Sequence, residues 1–204
     1  MSKALDSSPR DGAVMLQQTL AQWRAQGPRA DLWLFAYASL VWRPEFEVAE
    51  SRPARVHGHH RALQMWSRIN RGTEDCPGLV FALLPGGCCD GLVLRLPHDE
   101  VEARMPALWA REMPRPVYDP KWLLCQTPQG PVRAQAFTLS RRSPSYTGVL
   151  PPERYRQIFS QSCGRYGTTL DYARQTLHGL AEHGIHDHAL ERLLRLAPDP
   201  TGAA

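Results

Sequence analysis

The chain has 204 residues, with 24 lysines and arginines against 20 aspartates and glutamates, a formal net charge of +4. That length fits one domain with a sizeable core, and the arginines are too dispersed and the excess too small to mark a nucleic-acid binder. No apolar run approaches the roughly 20 residues of a membrane span, and Met1-Ser2-Lys3-Ala4-Leu5-Asp6 carries no signal-type apolar region, which together predict a cytoplasmic protein.

Residues 1–12 are polar, include Ser7-Ser8-Pro9, and read as a disordered N-terminus ahead of a single domain over 13–204, with no internal repeat or low-complexity linker. Ala13 to Gln26 reads as a short helix with Leu16, Leu20 and Trp23 on one side, ended by Gly27-Pro28. An apolar strand follows through Leu34, Phe35, Ala36 and Tyr37 into the small residues Ala38 and Ser39, then resumes with Leu40, Val41 and Trp42. Small side chains at the end of a buried strand let a ligand approach the backbone and use its N–H groups.

Strand-like segments are predicted over 32–37, 54–67, 78–84, 91–96, 121–127 and 131–139, punctuated by Pro44, Gly58, Pro77-Gly78, Pro85-Gly86-Gly87 and Gly130-Pro131. A helix over His98 to Met113 interrupts them, and three helical segments close the chain, about 152–163, 168–183 and 186–196, broken by Gly164, Gly167 and Gly184. Strands around a core, one inserted helix and a helical tail indicate an α+β fold.

The inserted helix carries the residue of most chemical interest. Asp99, Glu100 and Glu102 lie in its first turn, where negative charge suits a helix N-terminus. Val101, Met105, Leu108 and Trp109 fall at i, i+4, i+7 and i+8, the spacing of one buried stripe. At about 100° per residue, eleven steps from Val101 return to within about 20° of the start, so Glu112 shares that face, leaving Arg111 and Arg115 to point elsewhere. Pro106 inside the helix deletes a backbone bond. A carboxylate on a buried face has two readings: a residue paired with Arg111, Arg115 or a backbone donor, or a general base whose proton affinity burial raises. Spacing does not choose between them.

Cys76, Cys88, Cys89, Cys125 and Cys163 form an odd, unpatterned set without a CxxC and read as reduced thiols. His57-x-His59-His60 and His183, His186 and His188 lack both an HExxH motif and a complementary Cys pair, so no metal site is expected. Serine elbow, P-loop and GxGxxG fingerprints are missing as well.

The run Phe35-x-Tyr37-Ala38-Ser39-Leu40-Val41-Trp42 resembles the Y-G-S-L-x-W signature of the ChaC-type γ-glutamylcyclotransferases, the glutathione-specific branch of the cyclotransferases. Arg71-Gly72-Thr73 with Pro77-Gly78 resembles that family's R-G-T…P-G segment, and Trp109-Ala110-Arg111-Glu112-Met113 with Tyr118 resembles its R-E-x…Y catalytic segment. Pro144-x-Tyr146 resembles its P-x-Y element, and Gly164-x-x-Gly167-Thr168-Thr169-x-x-Tyr172 its G-x-x-G-x-N-x-x-Y stretch, so the likeness runs in order over about residues 31 to 195. Two positions depart from the pattern. Ala38 stands where the family has Gly, and Thr169 where it has Asn.

The resemblance implies a γ-glutamylcyclotransferase-like small mixed β-barrel with an inserted catalytic helix and C-terminal helices. It implies a cofactor-free, metal-free reaction on glutathione in which the substrate's α-amine attacks its own γ-carbonyl, giving 5-oxoproline and cysteinylglycine. Glu112 would be general base and then acid, and Leu34, Phe35, Ala36, Tyr37, Ala38, Ser39, Leu40, Tyr118 and Tyr146 would bind the substrate. Two alternatives remain at this point: a cyclotransferase for other γ-glutamyl peptides or amines, and, because a Cβ at Ala38 would strain a positive-φ loop, a weakened γ-glutamyl-binding regulatory protein.

Overall fold

The structure, a computed structural model, describes residues 10–44 and 46–198. The expectation of disorder over 1–12 therefore lies outside the described residues for 1–9. Residues 10–12 are placed: Asp11 caps helix α1 (Gly12–Arg24), its carboxylate accepting from the Ala13 and Val14 amides.

Five strands close a barrel in the order β1-β3-β2-β4-β5: β1 (Leu32–Ala36), β2 (Glu50–Ser67), β3 (Gly78–Leu96), β4 (Asp119–Thr127) and β5 (Gly130–Thr138). Strand β1 lies antiparallel to β3 and meets β5 in parallel at Leu34 and Gln135. Both faces of β1 are buried. Leu32, Leu34 and Ala36 join a core shared with α1 and the inserted helix α3 (Val101–Glu112). Phe35 and Tyr37 join a second core under the C-terminal helices α4 (Pro152–Gln161), α5 (Thr169–Glu182) and α6 (His188–Leu194). That division is the period-2 alternation of a strand with an apolar layer on each side.

Three sequence readings need correction. Leu40, Val41 and Trp42 do not resume the strand: with Ser39 they form a four-residue helix, α2 (Ser39–Trp42), the Val41 amide donating to the Ala38 carbonyl at 2.9 Å. The predicted strands 78–84 and 91–96 are one strand, because Pro85-Gly86-Gly87 bulges within the ladder instead of ending it. His57 pairs with Cys88 and His59 with Pro85, so Gly86 and Gly87 lie opposite Gly58. Both take positive φ (101° and 74°), which glycine supplies without a Cβ clash. A two-residue hairpin, β6 (Cys163–Gly164) with β7 (Gly167–Thr168), sits between α4 and α5 where only a break was predicted.

Helix α3 keeps its predicted stripe, with Val101, Met105, Leu108 and Trp109 buried and Pro106 inside. It is braced by α1: Arg24 donates to Glu102 at 2.8 Å, and Leu20 and Trp23 share the core with Met105 and Trp109. Arg10 reaches the segment after α3, pairing with Asp119 at 2.7 Å and donating to the Tyr118 carbonyl. Together these contacts fix the end of α3, where Glu112 sits.

Candidate active site

A cavity of about 480 Å³ opens between the end of β1, α2, the last turn of α3 and the β6–β7 hairpin, with Glu112 in its wall. Arg111 turns toward this carboxylate instead of pointing away. Its Nε lies 3.3 Å from Glu112 Oε1, and its two terminal nitrogens donate to Ser39 Oγ at 3.1 Å and to the Arg43 carbonyl at 2.6 Å. One guanidinium thus ties the end of α3 to both ends of α2. The paired-carboxylate reading of Glu112 holds in this respect, and pairing leaves the carboxylate at the cavity, 16% exposed.

Three phenols of the cavity wall lie within electrostatic reach of Glu112. Tyr37 and Tyr118 are pushed well above the ordinary tyrosine value, first by burial and then by neighbouring phenols and the Glu112 carboxylate. Tyr172 is raised by burial too, with Glu112 adding to the shift. All three therefore stay protonated at neutral pH and act as neutral hydrogen-bonding groups. The Tyr37 hydroxyl donates to the Phe137 carbonyl at 2.9 Å, and the Phe81 amide donates to the Tyr172 hydroxyl at 3.4 Å, so both rings have fixed positions. Arg61 of β2 holds the Tyr37 carbonyl at 2.9 Å while paired with Asp187, the cap of α6, at 2.5 Å.

The structure brings Tyr37, Ala38, Ser39, Leu40, Glu112 and Tyr118 together on the cavity wall. Leu34, Phe35 and Ala36 do not line it. Strand alternation buries them in the two cores, where their effect on the cavity is through the position of Tyr37. Tyr146 also stands back from the cavity: it bridges Met65 on β2 and packs on the core, while its neighbour Ser145 reaches the wall. Ala38 has φ −144°, outside the left-handed region, so its Cβ carries none of the cost that motivated the weakened-binder alternative.

Sequence reasoning left Arg71 unassigned and passed over Tyr172 as a site residue. Both line the cavity, with the Arg71 guanidinium 4.8 Å over the Tyr172 ring. Their setting explains the glycine motifs. A Cβ at Gly72 would run into the Gly78 amide, one at Gly78 into the Arg71 carbonyl, and one at Gly164 would lie 2.5 Å from the Gly72 nitrogen. Close backbone approach, not turn flexibility, requires glycine at these three positions. Thr169, fully buried, finishes the junction by accepting from the Leu79 amide at 2.9 Å and the Ser162 hydroxyl at 2.7 Å. Among the described residues, no group of histidine, cysteine or acidic side chains is disposed to hold a metal ion.

The ChaC-like protein family profile matches residues 32–198, and this chain belongs to that family. The glutathione-specific γ-glutamylcyclotransferase of Escherichia coli (strain K12) is 32% identical over 188 residues, 92% of this chain and 80% of that protein. The human glutathione-specific γ-glutamylcyclotransferase 1 is 33% identical over 183 residues, covering 85% of this chain and 73% of its own length. The fold also matches a crystal structure of the γ-glutamyl cyclotransferase specific to glutathione from yeast, with a TM-score of 0.72 at 18% identity over 81% of this chain and 95% of that one. Members of this family are γ-glutamylcyclotransferases, and this chain is therefore an enzyme of that kind.

Proposed function

We propose that the protein degrades glutathione by intramolecular cyclisation, with Glu112 as the proton-transferring group. The observation that carries this reading is the linkage of Glu112 through Arg111 to the first residue of α2, at the wall of a cavity lined by protonated tyrosines. The substrate brings its own nucleophile, so the protein needs a base, donors for developing negative charge and a folded pose.

The Glu112 carboxylate removes a proton from the substrate's α-ammonium, and the freed amine attacks the γ-carbonyl carbon. The new C–N bond closes 5-oxoproline and the amide bond to cysteine breaks; of the two protons the attacking nitrogen loses, Glu112 passes the first to the departing nitrogen, and the second, shed once the C–N bond has formed, completes the ammonium of cysteinylglycine. The Ser39 and Leu40 amides open α2 and have no partner within that helix, which leaves them for the substrate's α-carboxylate or the developing oxyanion; preorganised donors are worth about 3–4 kcal/mol each. Tyr37 and Tyr118 shape the γ-glutamyl end. Holding the amine against the carbonyl removes several kcal/mol of barrier, roughly 7–11 in the best intramolecular cases.

A cytosolic location accompanies this reading. Among the described residues no helix is long and apolar enough to cross a membrane, and all five cysteines are free, the state a glutathione-buffered compartment maintains. The test is 5-oxoproline release from glutathione, γ-glutamyl-alanine and γ-glutamyl-lysine by wild type and Glu112→Gln. Glutathione is expected to be the best substrate, and the variant is expected to lose about 10²–10⁴-fold in turnover while remaining folded. Wild-type turnover in the folded variant would remove Glu112 from the mechanism.

A further inference from the structure

Arg71 is a buried cation that no carboxylate contacts directly among the described residues, Asp171 acting on it only at longer range. It is 7% exposed, and among the described residues its guanidinium makes one hydrogen bond, to the Tyr166 carbonyl, and no ion pair. Burying an unpaired charge is costly, and such a group normally has a counter-ion or a ligand. The cost is visible in its proton affinity, which burial pulls below the usual guanidinium value.

Its position is built, not incidental. The backbone of Arg71 is locked by the junction of Gly72, Gly78 and Gly164, and its amide donates to Ser67 Oγ at 3.0 Å. The β6–β7 hairpin is laced to the same strand end, Arg165 and Tyr166 donating to the Ile69 and Asn70 carbonyls at 2.8 and 2.9 Å. Over this site stand two further cations of the cavity wall, Arg43 and Arg165, 5.5 and 5.3 Å from the Tyr166 ring. The structure thus holds a fixed guanidinium fork on the cavity wall, with two further arginines of that wall against the Tyr166 ring.

We propose that Arg71 receives the C-terminal carboxylate of a γ-glutamyl peptide and thereby selects peptides over γ-glutamyl amines. This rests on the cyclotransferase reading. In that chemistry the α-amine and α-carboxylate share one carbon, so both belong beside Glu112 and α2, which Arg111 joins. Arg71 forms no ion pair with Glu112 and lies over the Tyr172 ring beside the hairpin. The carboxylate left for it is the one at the far end of the substrate. A planar guanidinium is suited to a two-bond grip on that group.

The experiment compares kcat/KM for glutathione, its glycine monoethyl ester and γ-glutamyl-methylamide in wild type, Arg71→Met and Arg71→Lys, with folding checked by circular dichroism. Met keeps the reach and packing of the side chain without its charge. Wild type is expected to prefer glutathione over the ester by roughly 10- to 100-fold, the worth of a charge-assisted contact. Arg71→Met should bring the two within about twofold by raising KM for glutathione alone, and Lys should recover part of the preference. A wild type that treats acid and ester alike, or a Met variant that keeps the preference, overturns the assignment. Equal damage to γ-glutamyl-methylamide turnover also overturns it, placing Arg71 at the γ-glutamyl end. Should none of the three compounds release 5-oxoproline, the cyclotransferase reading fails; the Kd ratio of glutathione to ester, measured by calorimetry on the same proteins, then decides Arg71 by the same criterion.

Discussion

Replacing Thr169 by Val removes one hydroxyl at nearly constant volume from the buried junction behind the site. That hydroxyl oxygen accepts from the Leu79 amide and the Ser162 hydroxyl, and it lies 3.4 Å from the Arg71 carbonyl. Leu79, Ser162 and Thr169 are all at most 1% exposed, so water cannot replace the lost acceptor. Each stranded donor costs about 1–3 kcal/mol, and the extra buried methyl returns about 0.8 kcal/mol. The Ser162 hydroxyl can rotate toward another acceptor, which keeps its share near the low end. The net expectation is a loss of about 2 kcal/mol, or about 4–8 °C in Tm for a chain of this size. Urea unfolding is the assay, with the midpoint falling at constant m-value. Thr169→Ser, which keeps the oxygen, should retain most of the stability. A folded Val variant within about 0.5 kcal/mol of wild type, the range of an ordinary surface change, would refute the bridging role of this hydroxyl.

Ala38→Gly is expected to leave KM for glutathione unchanged, because the negative φ at this residue leaves no left-handed strain to relieve; Ala38→Val should raise KM by crowding the cavity beside the Ser39 amide. A lower KM in the Gly variant would contradict this. Thiol labelling of the native protein at pH 8 should modify the exposed Cys88 and Cys163 and spare Cys89 and Cys125, which burial raises to about 11 and about 12. The same raised values set the sign of an alkaline effect. Stability from these neutral thiols is complete below the unfolded value near 9 and is lost as pH rises toward 11–12, so the urea midpoint should fall across that window and recover part of the loss in Cys125→Ala.

Local chemistry was enough to read some elements from the chain. The stripe of α3 is set by 3.6-residue periodicity, and tertiary packing uses it unchanged to bury Val101, Met105, Leu108 and Trp109. The strand segments followed from β-branched and apolar runs between turn residues, and the order of short motifs carried the family resemblance from Phe35 to Tyr172. A carboxylate at the end of an apolar stripe is uncommon, which drew attention to Glu112, but spacing left its pairing and its role as a base open.

What needed the tertiary structure was every feature set by a partner distant in sequence. Pro85-Gly86-Gly87 looks like a turn locally, yet it becomes a bulge because β2 continues to pair on either side of it. Leu40-Val41-Trp42 has strand composition and is coiled into a helical turn that Arg111 spans from the far side of the cavity. Leu34, Phe35 and Ala36 belong to the motif by order but to the two cores by alternation, so proximity in sequence to Tyr37 did not place them at the cavity. Arg71 is the clearest case. In the chain it stands out only through the R-G-T resemblance, without a role, and its burial, its lack of an ion pair among the described residues and its fixed place over Tyr172 arise only when Gly72, Gly78 and Gly164 meet. The chain encodes those glycines one by one; their mutual contact, and with it the place of that guanidinium on the cavity wall, is a property of the folded backbone.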